Sequence, residues 1–189
     1  VLTYGDKKIH LKSSGKGAAL NAVAAYAFTA TLGLDSELII SAIESYEAAK
    51  GRGKMDVWKG ITLIDDTYNA NPSSVNNAIG ALVSMKNEGK KLMVFGDMLE
   101  MGAEARLSHE TVGKKAAAAG ISHLFCYGPD SRYTVETAKN AGMEHAEHFE
   151  SKKELSEALA SNIKPGDIVL FKGSRGVAIE DVISLIKDM

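Results

Sequence analysis

ITLIDDTYNANPSS, residues 61–74, is the stretch that decides the fold class of this chain. Its first half is an apolar, β-branched run that predicts a strand, and this strand ends in two carboxylates, Asp65 and Asp66. A polar turn and the start of a helix follow. Because open α/β sheets bind their ligands beyond the carboxyl ends of their strands, the turn is a candidate binding site.

The start of the helix after this turn is set by Pro72, which biases Asn71 away from the helical conformation. Ser73 or Ser74 is then expected to cap the helix by accepting one of its free N–H groups. Side-chain amides beside a helix N-terminus can hold carboxylate or phosphate oxygens. Asp, Asn and Pro also make ordinary strand-to-helix turns, so the residue types alone leave a purely structural role open.

Beyond this stretch, helix-like and strand-like segments alternate to the end of the chain, which is typical of an α/β fold. Strands are predicted at 54–58, 61–66, 91–95, 123–127, 145–149 and 167–172. Helices are predicted at 73–86, 108–119, 131–141, 152–162 and 177–187. Strands joined through a helix must run parallel, whereas a two-residue turn makes the first strand antiparallel to the second. The sequence therefore predicts a Rossmann-like, six-stranded, mostly parallel sheet with one antiparallel edge strand and helices on both faces.

The residues before this alternation have a different pattern, with two short strands, a turn at Gly5 and Asp6, and two helices rich in small apolar residues. The chain enters this pattern abruptly, so we expect it to be a fragment that begins inside a preceding domain. The segment AAKGRG, residues 48–53, is rich in glycine and charge, as linkers are. We therefore expect two domains, at 1–50 and at 51–189.

Composition and charge exclude several classes of function. With a net charge of -2, the chain has no general attraction for nucleic acid or acidic membranes, so we expect neither as a partner. Its single cysteine, Cys126, allows no internal disulfide and lies in an apolar run that is typical of a core. The five histidines lack metal-ligand spacing, and no stretch resembles a signal peptide or a membrane span. We expect a cytoplasmic protein with no metal site in this chain.

Three other predicted strand ends carry polar, glycine-containing loops: GDMLEMG after the third strand, GPD (128–130) after the fourth and KGSRG after the last. In KGSRG, Lys172 and Arg175 can meet a carboxylate or a phosphate beside the start of the last helix. In GDMLEMG, Asp97 and Glu100 could orient a substrate amine or a metal-bound water, or they could only cap a loop. Arg52, between two glycines of the linker, is predicted to be a charge on a flexible hinge that can reach a phosphate, although a lone arginine in a linker is usually only solvated.

Taken in order, four motifs resemble those of the Mur ligase family. They are KGRG at 50–53, IDDTYNANPSS at 64–74, FGDMLEMG at 95–102 and LFKGSRG at 170–176. The YNANP turn is similar to that of the branch that joins D-alanyl-D-alanine to UDP-N-acetylmuramoyl-tripeptide in peptidoglycan synthesis. The resemblance covers nearly the whole chain. It implies the C-terminal, Rossmann-like domain of such a ligase, preceded at 1–50 by the remnant of a central ATPase domain.

The resemblance implies ATP and Mg2+ as cofactors, with D-alanyl-D-alanine and UDP-N-acetylmuramoyl-tripeptide as partners. No G-x-x-x-x-G-K-[ST] loop occurs in the chain, because the family's P-loop and metal ligands would lie upstream. The chain alone is therefore expected to hold no catalytic residue and to be inactive, whereas the full-length ligase is expected to be an active monomer. Apolar helix faces of the remnant are expected to promote self-association of the fragment.

The resemblance also implies roles for particular residues. The residues expected at ATP are Asn21, Arg52, Asp66 and Tyr68. The residues expected at the substrates are Asn69, Asn71, Lys172, Ser174 and Arg175. Asn21 matches the last Asn of a G-x-H-N-x-x-N-A motif, but Gly17 and Ala18 stand in place of its His and first Asn.

Two other hypotheses stay open at this point. The chain could be a free-standing Rossmann-like module that binds a small ligand or a protein, which an upstream reading frame with a P-loop would exclude. The loops could also be ordinary turns. In that case Asp66→Ala or Arg52→Ala in the full-length protein would leave turnover unchanged.

Overall fold

A computed structural model describes residues 1–5, 7–12 and 15–189 of the chain. These residues form two compact units, Val1–Ala48 and Ala49–Met189. Asp6 of the predicted turn lies outside the described residues. None of the helices in the described ranges is long and apolar enough to cross a bilayer.

The first unit combines one antiparallel strand pair with two helices. Its elements are β1 (Leu2–Tyr4), β2 (Lys7–Ile9), α1 (Lys16–Thr31) and α2 (Ser36–Ser45). Asp35 caps α2, because its carboxylate accepts two N–H groups of the first turn.

Much of the apolar surface of the first unit is uncovered. Among the described residues of this unit, the buried apolar side chains are Ile9, Ala22 and Ile39. Large apolar side chains that are between 48% and 66% exposed include Leu20, Phe28, Leu32, Leu34 and Leu38. Because hydrophobic stabilisation grows with the apolar area removed from water, so small a core contributes little. Exposed apolar faces of this kind favour association with other protein surfaces, although the self-association of the fragment stays a prediction.

The second unit alternates strands and helices throughout. Its strands are β3 (Lys54–Trp58), β4 (Ile61–Asp66), β5 (Lys91–Gly96), β6 (His123–Tyr127), β7 (Ala146–Phe149) and β8 (Ile168–Lys172). Its helices are α3 (Pro72–Ser84), α4 (Ala105–Ala118), α5 (Ser131–Asn140), α6 (Lys152–Asn162) and α7 (Glu180–Lys187). All six predicted strands and five predicted helices of this region are present, with shifts of a few residues at their ends.

The strands form one sheet in the order β3-β4-β8-β5-β6-β7. β3 pairs antiparallel with β4, and every other neighbouring pair is parallel. The predicted six-stranded, mostly parallel sheet with one antiparallel edge strand is therefore confirmed. The last strand of the chain, β8, lies between β4 and β5, so the ends of these three strands are neighbours.

Each face of the sheet has its own hydrophobic core. One core includes side chains of α3, α4 and α5, and the other includes side chains of α6 and α7. Strand side chains alternate between the two cores. Met93 and Phe95 of β5 belong to the first core, whereas Leu92 and Val94 belong to the second. The predicted helices on both faces are confirmed.

Helix α3 has a different cap from the one expected. Asn71 Oδ1 accepts the N–H of Ser74 at 2.8 Å, and the N–H of Asn71 donates to Ser74 Oγ at 3.0 Å. The prediction that Ser73 or Ser74 caps this helix is therefore wrong. Pro72 fits the first position of a helix, where no N–H is needed, so the residue before it becomes the cap. Ser74 instead completes a reciprocal capping box.

The last helix begins three residues later than predicted, at Glu180. A short 3-10 turn, Arg175–Val177, follows β8, and Ala178 has a left-handed φ of 52°. A left-handed residue interrupts a right-handed helix, so the two helical pieces do not join. Arg175 is consequently part of the loop after β8.

Candidate functional site

The candidate site lies at the carboxyl edge of the second unit's sheet, where β4, β8 and β5 end side by side. Asp66 is opposite Lys172 in the β4–β8 ladder, and Lys172 is opposite Phe95 in the β8–β5 ladder. We name the segments that follow these strands the β4 loop (67–71), the β5 loop (97–101) and the β8 loop (173–176). The topology thus gathers three motifs that are far apart in the sequence.

Lys172 is the buried cation of the site, with 1% of its surface exposed. Its Nζ lies 2.7 Å from Asp66 Oδ2 and donates to the carbonyl oxygens of Asn69 at 2.9 Å and of Asp66 at 3.4 Å. A buried ammonium needs such partners, because desolvation otherwise favours its neutral form. Lys172 therefore fixes the β4 loop to the end of β8.

Asp66, the partner of this lysine, has 26% of its side chain exposed. Burial is the largest influence on the pKa of the Asp66 carboxyl and raises it, the charge and hydrogen bond of Lys172 lower it, and the negative charge of Asp65 raises it again. Arg52 lowers this pKa too, as a smaller effect. The fold thus holds a carboxylate where desolvation disfavours its charge. Such a perturbed group at the ligand edge of a sheet is typical of a functional site.

Tyr68 carries two guanidinium groups close to its ring. Arg52 Cζ lies 4.0 Å from the ring centroid, and Arg175 Cζ lies 6.0 Å from it. Tyr68 is 45% exposed, so each cation–π contact stabilises the pair by about 0.5–1 kcal/mol. Two arginines beside one ring form an electropositive patch that suits phosphate or carboxylate oxygens. The fold brings these three predicted site residues together from two ends of the unit.

The linker around Arg52 is held against β4. Asp65 Oδ2 accepts the N–H of Gly51 at 3.1 Å, and the Asp65 carbonyl accepts the N–H of Gly53 at 2.8 Å. Tyr68 also donates its N–H to the Gly51 carbonyl at 2.9 Å. The predicted flexible hinge at this arginine is therefore wrong. The two glycines use left-handed φ values of 77° and 75° to form these bonds, so they fix the backbone instead of loosening it.

Ser174 joins the three loops and is 4% exposed. Its Oγ accepts the N–H of Leu99 at 2.9 Å and donates to the Ala70 carbonyl at 3.3 Å. Its own N–H donates to the Asp97 carbonyl at 3.0 Å. Through these bonds, Ser174 sets the position of the β4 loop relative to the β5 loop.

The two acids of the β5 loop have different surroundings. Asp97 is 1% exposed, and its carboxylate accepts the N–H groups of Ser131 at 2.7 Å and Asp130 at 3.2 Å. Glu100 is exposed and has a left-handed φ of 63°. Of the two roles that the sequence left open for Asp97, this geometry favours the capping of a loop, because its oxygens are directed into the protein.

The asparagines of the β4 loop are exposed, and each uses its side-chain oxygen locally. Asn69 Oδ1 accepts the N–H of Ala70 at 2.8 Å, and Asn71 Oδ1 caps α3. An asparagine side chain also carries an NH2 group that can donate to a ligand oxygen. This arrangement orients two amides at the mouth of the site.

Asn21 is far from these residues in the sequence and belongs to the other unit. It is exposed on α1 of the first unit, whereas the other predicted site residues belong to the second unit. Its role at ATP stays a prediction.

Sequence reasoning missed two residues that build the site. Asp65 holds the linker, and the alternation of strand side chains was the signal: adjacent acids on a strand point in opposite directions. His109 is fully buried, its Nε2 accepts the N–H of Met98 at 3.1 Å, and its Nδ1 lies 2.7 Å from the Ala105 carbonyl. These contacts assign a neutral ring with its hydrogen on Nδ1. No local pattern predicts this role, because it depends on how α4 packs under the β5 loop.

The residues present do not fit a metal site. Within 1–5, 7–12 and 15–189, no three His, Cys, Asp or Glu side chains are grouped so that they could hold a metal ion. The acids nearest the site are engaged otherwise. Asp65 and Asp97 accept backbone N–H groups, and Asp66 pairs with Lys172.

A family profile and individual sequence relatives both relate this chain to Mur ligases. A family profile described as "Mur ligase, glutamate ligase domain" matches residues 51–175. The UDP-N-acetylmuramoyl-tripeptide–D-alanyl-D-alanine ligase of Bacillus subtilis is 33% identical over 180 residues, which cover 89% of this chain and 37% of that protein. The enzyme of the same name from Escherichia coli is 33% identical over 187 residues, which cover 97% of this chain and 40% of that protein. The chain thus spans about two fifths of the length of these relatives.

Solved structures agree with the sequence comparison. MurF from Acinetobacter baumannii superposes with a TM-score of 0.85 and 30% identity, over 96% of this chain and 40% of that one. The MurF ligase of Thermotoga maritima, solved in complex with ADP, gives a TM-score of 0.79 and 28% identity over 93% of this chain and 39% of that one. The fold is therefore shared over nearly the whole chain.

Proposed function

This chain belongs to the Mur ligase family, and on that premise we propose that it is the C-terminal part of an ATP-dependent ligase. The ligase joins D-alanyl-D-alanine to UDP-N-acetylmuramoyl-tripeptide for peptidoglycan synthesis in the bacterial cytoplasm. The observation that carries the proposal is the grouping of Arg52, Tyr68 and Arg175 at the carboxyl edge, beside a YNANP turn. Nucleotide phosphates and the carboxylate of a dipeptide both require such donors.

The proposed reaction has two steps. In the first, an oxygen of the tripeptide carboxylate attacks the γ-phosphorus of ATP, the bond to ADP breaks, and an acyl phosphate forms. In the second, the amine of D-alanyl-D-alanine attacks the acyl carbon, inorganic phosphate leaves with its bonding electrons, and the amine loses a proton. Negative charge moves between phosphate oxygens in both steps, and preorganised cations stabilise such charge.

On the nucleotide side, Arg52 donates to the terminal phosphate of ATP. Tyr68 orients this arginine through the cation–π contact at 4.0 Å. Asp66 presents its carboxylate to the same nucleotide, and Asn21 of the first unit contributes to the adenine side. The first unit is the end of the central ATPase domain, so the chain alone does not turn over ATP.

On the dipeptide side, Asn69, Asn71 and Arg175 donate to the carboxylate and amide oxygens of D-alanyl-D-alanine. Lys172 and Ser174 act on the same substrate through the β4 loop, since their polar groups are already bonded to loop atoms. The exposed amides and guanidinium thus contact the ligand, and the buried ammonium and hydroxyl keep them in place.

Mg2+ would neutralise phosphate charge in the full-length ligase. In the described part of the chain, no three His, Cys, Asp or Glu side chains are grouped to hold a metal ion, and we place the main ligands of Mg2+ in the rest of the ligase. No step assigned to this chain's residues depends on that ion.

The test is a ligation assay on the full-length protein, with ADP release measured against ATP, UDP-N-acetylmuramoyl-tripeptide and D-alanyl-D-alanine. We expect steady-state ADP release to require both peptide substrates, and Arg52→Ala to lower kcat by about 100-fold, the usual effect of losing one charge-stabilising donor. Continued, multiple-turnover ADP release that does not depend on D-alanyl-D-alanine would contradict the proposed substrate. A gene with no upstream P-loop would favour the free-standing module instead.

Arg106→Ala is the matched control for the arginine. Arg106 Cζ also lies over a tyrosine ring, 4.8 Å from the centroid of Tyr133, but its guanidinium pairs with Glu110 on the surface of α4. This control variant is expected to keep the wild-type rate. Equal losses in the two variants would contradict a specific role for Arg52.

A further inference from the structure

Asp65 forms hydrogen bonds to the linker on both sides of Arg52. We propose that Asp65 is a positioning residue that holds Arg52 over Tyr68, and this inference rests on the proposed function of Arg52 at ATP. The carboxylate and the carbonyl of this one aspartate bond to the residues on both sides of the arginine.

The contacts form a short closed arrangement. Gly51 donates to Asp65 Oδ2 at 3.1 Å, and Gly53 donates to the Asp65 carbonyl at 2.8 Å. Between them, the side chain of Arg52 leaves the backbone and places its Cζ 4.0 Å from the Tyr68 ring centroid. When the backbone on both sides of a residue is held in place, its side chain samples fewer positions before a ligand binds. The entropic cost of its contact with the ligand is then lower.

The packing of Gly51 limits any other path for the linker. A Cβ atom at this glycine would lie 3.0 Å from the Tyr68 nitrogen and 3.2 Å from the Tyr68 Cβ, and its φ of 77° also disfavours other residues. Tyr68 in turn donates its N–H to the Gly51 carbonyl at 2.9 Å. The aromatic ring and the linker that delivers the arginine to it are therefore joined through the backbone.

The second carboxylate oxygen of Asp65 is also occupied. Oδ1 accepts the hydroxyl of Thr67 at 2.6 Å and its N–H at 3.3 Å. With both oxygens bonded inside the protein, Asp65 acts through Arg52 and not on a ligand. The neighbouring Asp66 points the other way, to Lys172.

The substitution Asp65→Asn hardly changes the shape of the side chain, but it affects the bond to Gly51 and the bonds to Thr67 differently. An asparagine has one oxygen and one NH2 group, and the two donors of Thr67 favour the oxygen on their side. The NH2 group then faces the N–H of Gly51, and two donors cannot bond. The linker bond is lost while the bond to Thr67 is kept, so Arg52 loses one of its two anchors.

The experiment is a double-mutant cycle on the full-length ligase with Asp65→Asn, Arg52→Ala and the double variant. We expect Asp65→Asn to lower kcat/KM for ATP by about tenfold, on the scale of one hydrogen bond to a charged group. In the Arg52→Ala background the same change is expected to have less than about a twofold effect, since residues that act as one unit are not additive. Additive losses would overturn the inference.

Asp167→Asn is the matched control, because Asp167 uses its two oxygens in the same way. They accept the N–H groups of Lys90 at 2.7 Å and Lys164 at 2.9 Å, at the amino edge of the sheet. This variant is expected to lose stability and to keep the kcat/KM of the folded protein. A similar loss of kcat/KM in both variants would show a general structural effect and would overturn the inference.

Amide hydrogen exchange gives a readout that does not depend on turnover. In Asp65→Asn we expect faster exchange in residues 51–53 than in the wild type, and unchanged exchange there in Asp167→Asn. If the wild type ligates but Asp65→Asn exchanges and turns over normally, this inference fails alone. If the wild type does not ligate, the proposed function fails, and exchange at 51–53 still decides whether Asp65 holds the linker.

Discussion

Asp65 and Asp167 each use both carboxylate oxygens to hold backbone N–H groups, at opposite edges of the same sheet. At the carboxyl edge, the segments held in this way carry an exposed arginine, an exposed tyrosine and two exposed asparagines. At the amino edge, Asp167 ties the start of β5 to the turn before β8. The same chemistry thus holds the proposed ligand site at one edge and a turn of the fold at the other.

Ion pairs repeat this contrast. Lys172 and Asp66 pair at the carboxyl edge, where the lysine side chain is 2% exposed. Lys187 and Asp56 pair on the surface, where their side chains are 34% and 56% exposed. Lys187 lowers the pKa of the Asp56 carboxyl, whereas burial raises that of Asp66 in spite of its lysine. The buried pair therefore carries a desolvation cost. The surface pair carries little of this cost.

Among the variants that test this contrast, Lys172→Met is expected to have the largest effect on stability. Removing the ammonium leaves the Asp66 carboxylate and the Asn69 carbonyl without their buried donor, which should lower the free energy of unfolding by about 3–5 kcal/mol. The pKa of Asp66 should rise further, since the attraction that opposes desolvation is gone. Urea denaturation at neutral pH measures the change in stability.

Lys187→Met is the control for this prediction, because it removes the same group from an exposed pair. Its expected effect on the free energy of unfolding is about 0–1 kcal/mol. If the two variants lose the same stability, the prediction that the buried pair contributes more to the free energy of unfolding than the surface pair is wrong.

A smaller effect is expected at the amino edge, from His123. Burial lowers the pKa of this imidazole, and the nearby positive charges of Lys90 and His145 lower it further, against Glu147 and Asp167. Its ring is stacked on His145 with a centroid distance of 4.4 Å. In the unfolded chain the group takes up a proton as the pH falls below 6.5, but the folded state resists it. The free energy of unfolding should therefore fall as the pH falls through this value.

His123→Gln is expected to reduce that pH dependence. Between pH 7.5 and pH 5.5 the variant should lose less stability than the wild type, by no more than about 1.4 kcal/mol per pH unit, the limit for one proton. Urea unfolding midpoints at the two pH values measure it. His10→Gln, at an exposed position of the first unit, serves as the control. Identical slopes for the wild type and His123→Gln would contradict the argument.

Sequence patterns predicted the architecture of the second unit because each strand and helix has a local signal. The apolar run of β4, the two-residue turn before it and the alternation of the later elements were sufficient for a mostly parallel sheet with one antiparallel edge strand. The strand order was not predictable in this way. The insertion of β8 between β4 and β5 joins Lys172 to Asp66, a contact between residues 106 positions apart.

The site residues were predicted by their motifs, but their surroundings were not. Arg52 between two glycines has the composition of a flexible hinge, and only the contact of Gly51 with Asp65, 14 positions away, reveals a fixed linker. Lys172 was predicted only as a cation of a glycine-containing loop, yet it is 1% exposed and bonds to Asp66 and Asn69. The composition of a segment indicates its intrinsic flexibility and polarity. Its burial depends on contacts with residues that are distant in the sequence.

The contrast between the two edges is tested most directly by hydrogen exchange on the full-length protein, with and without ATP and D-alanyl-D-alanine. We predict slower exchange on ligand addition in residues 51–53 and 66–71 at the carboxyl edge. Exchange in the amino-edge turns, residues 86–90 and 163–167, should not change. Slower exchange confined to the amino-edge turns, or no change at either edge, would contradict the assignment of the ligand site.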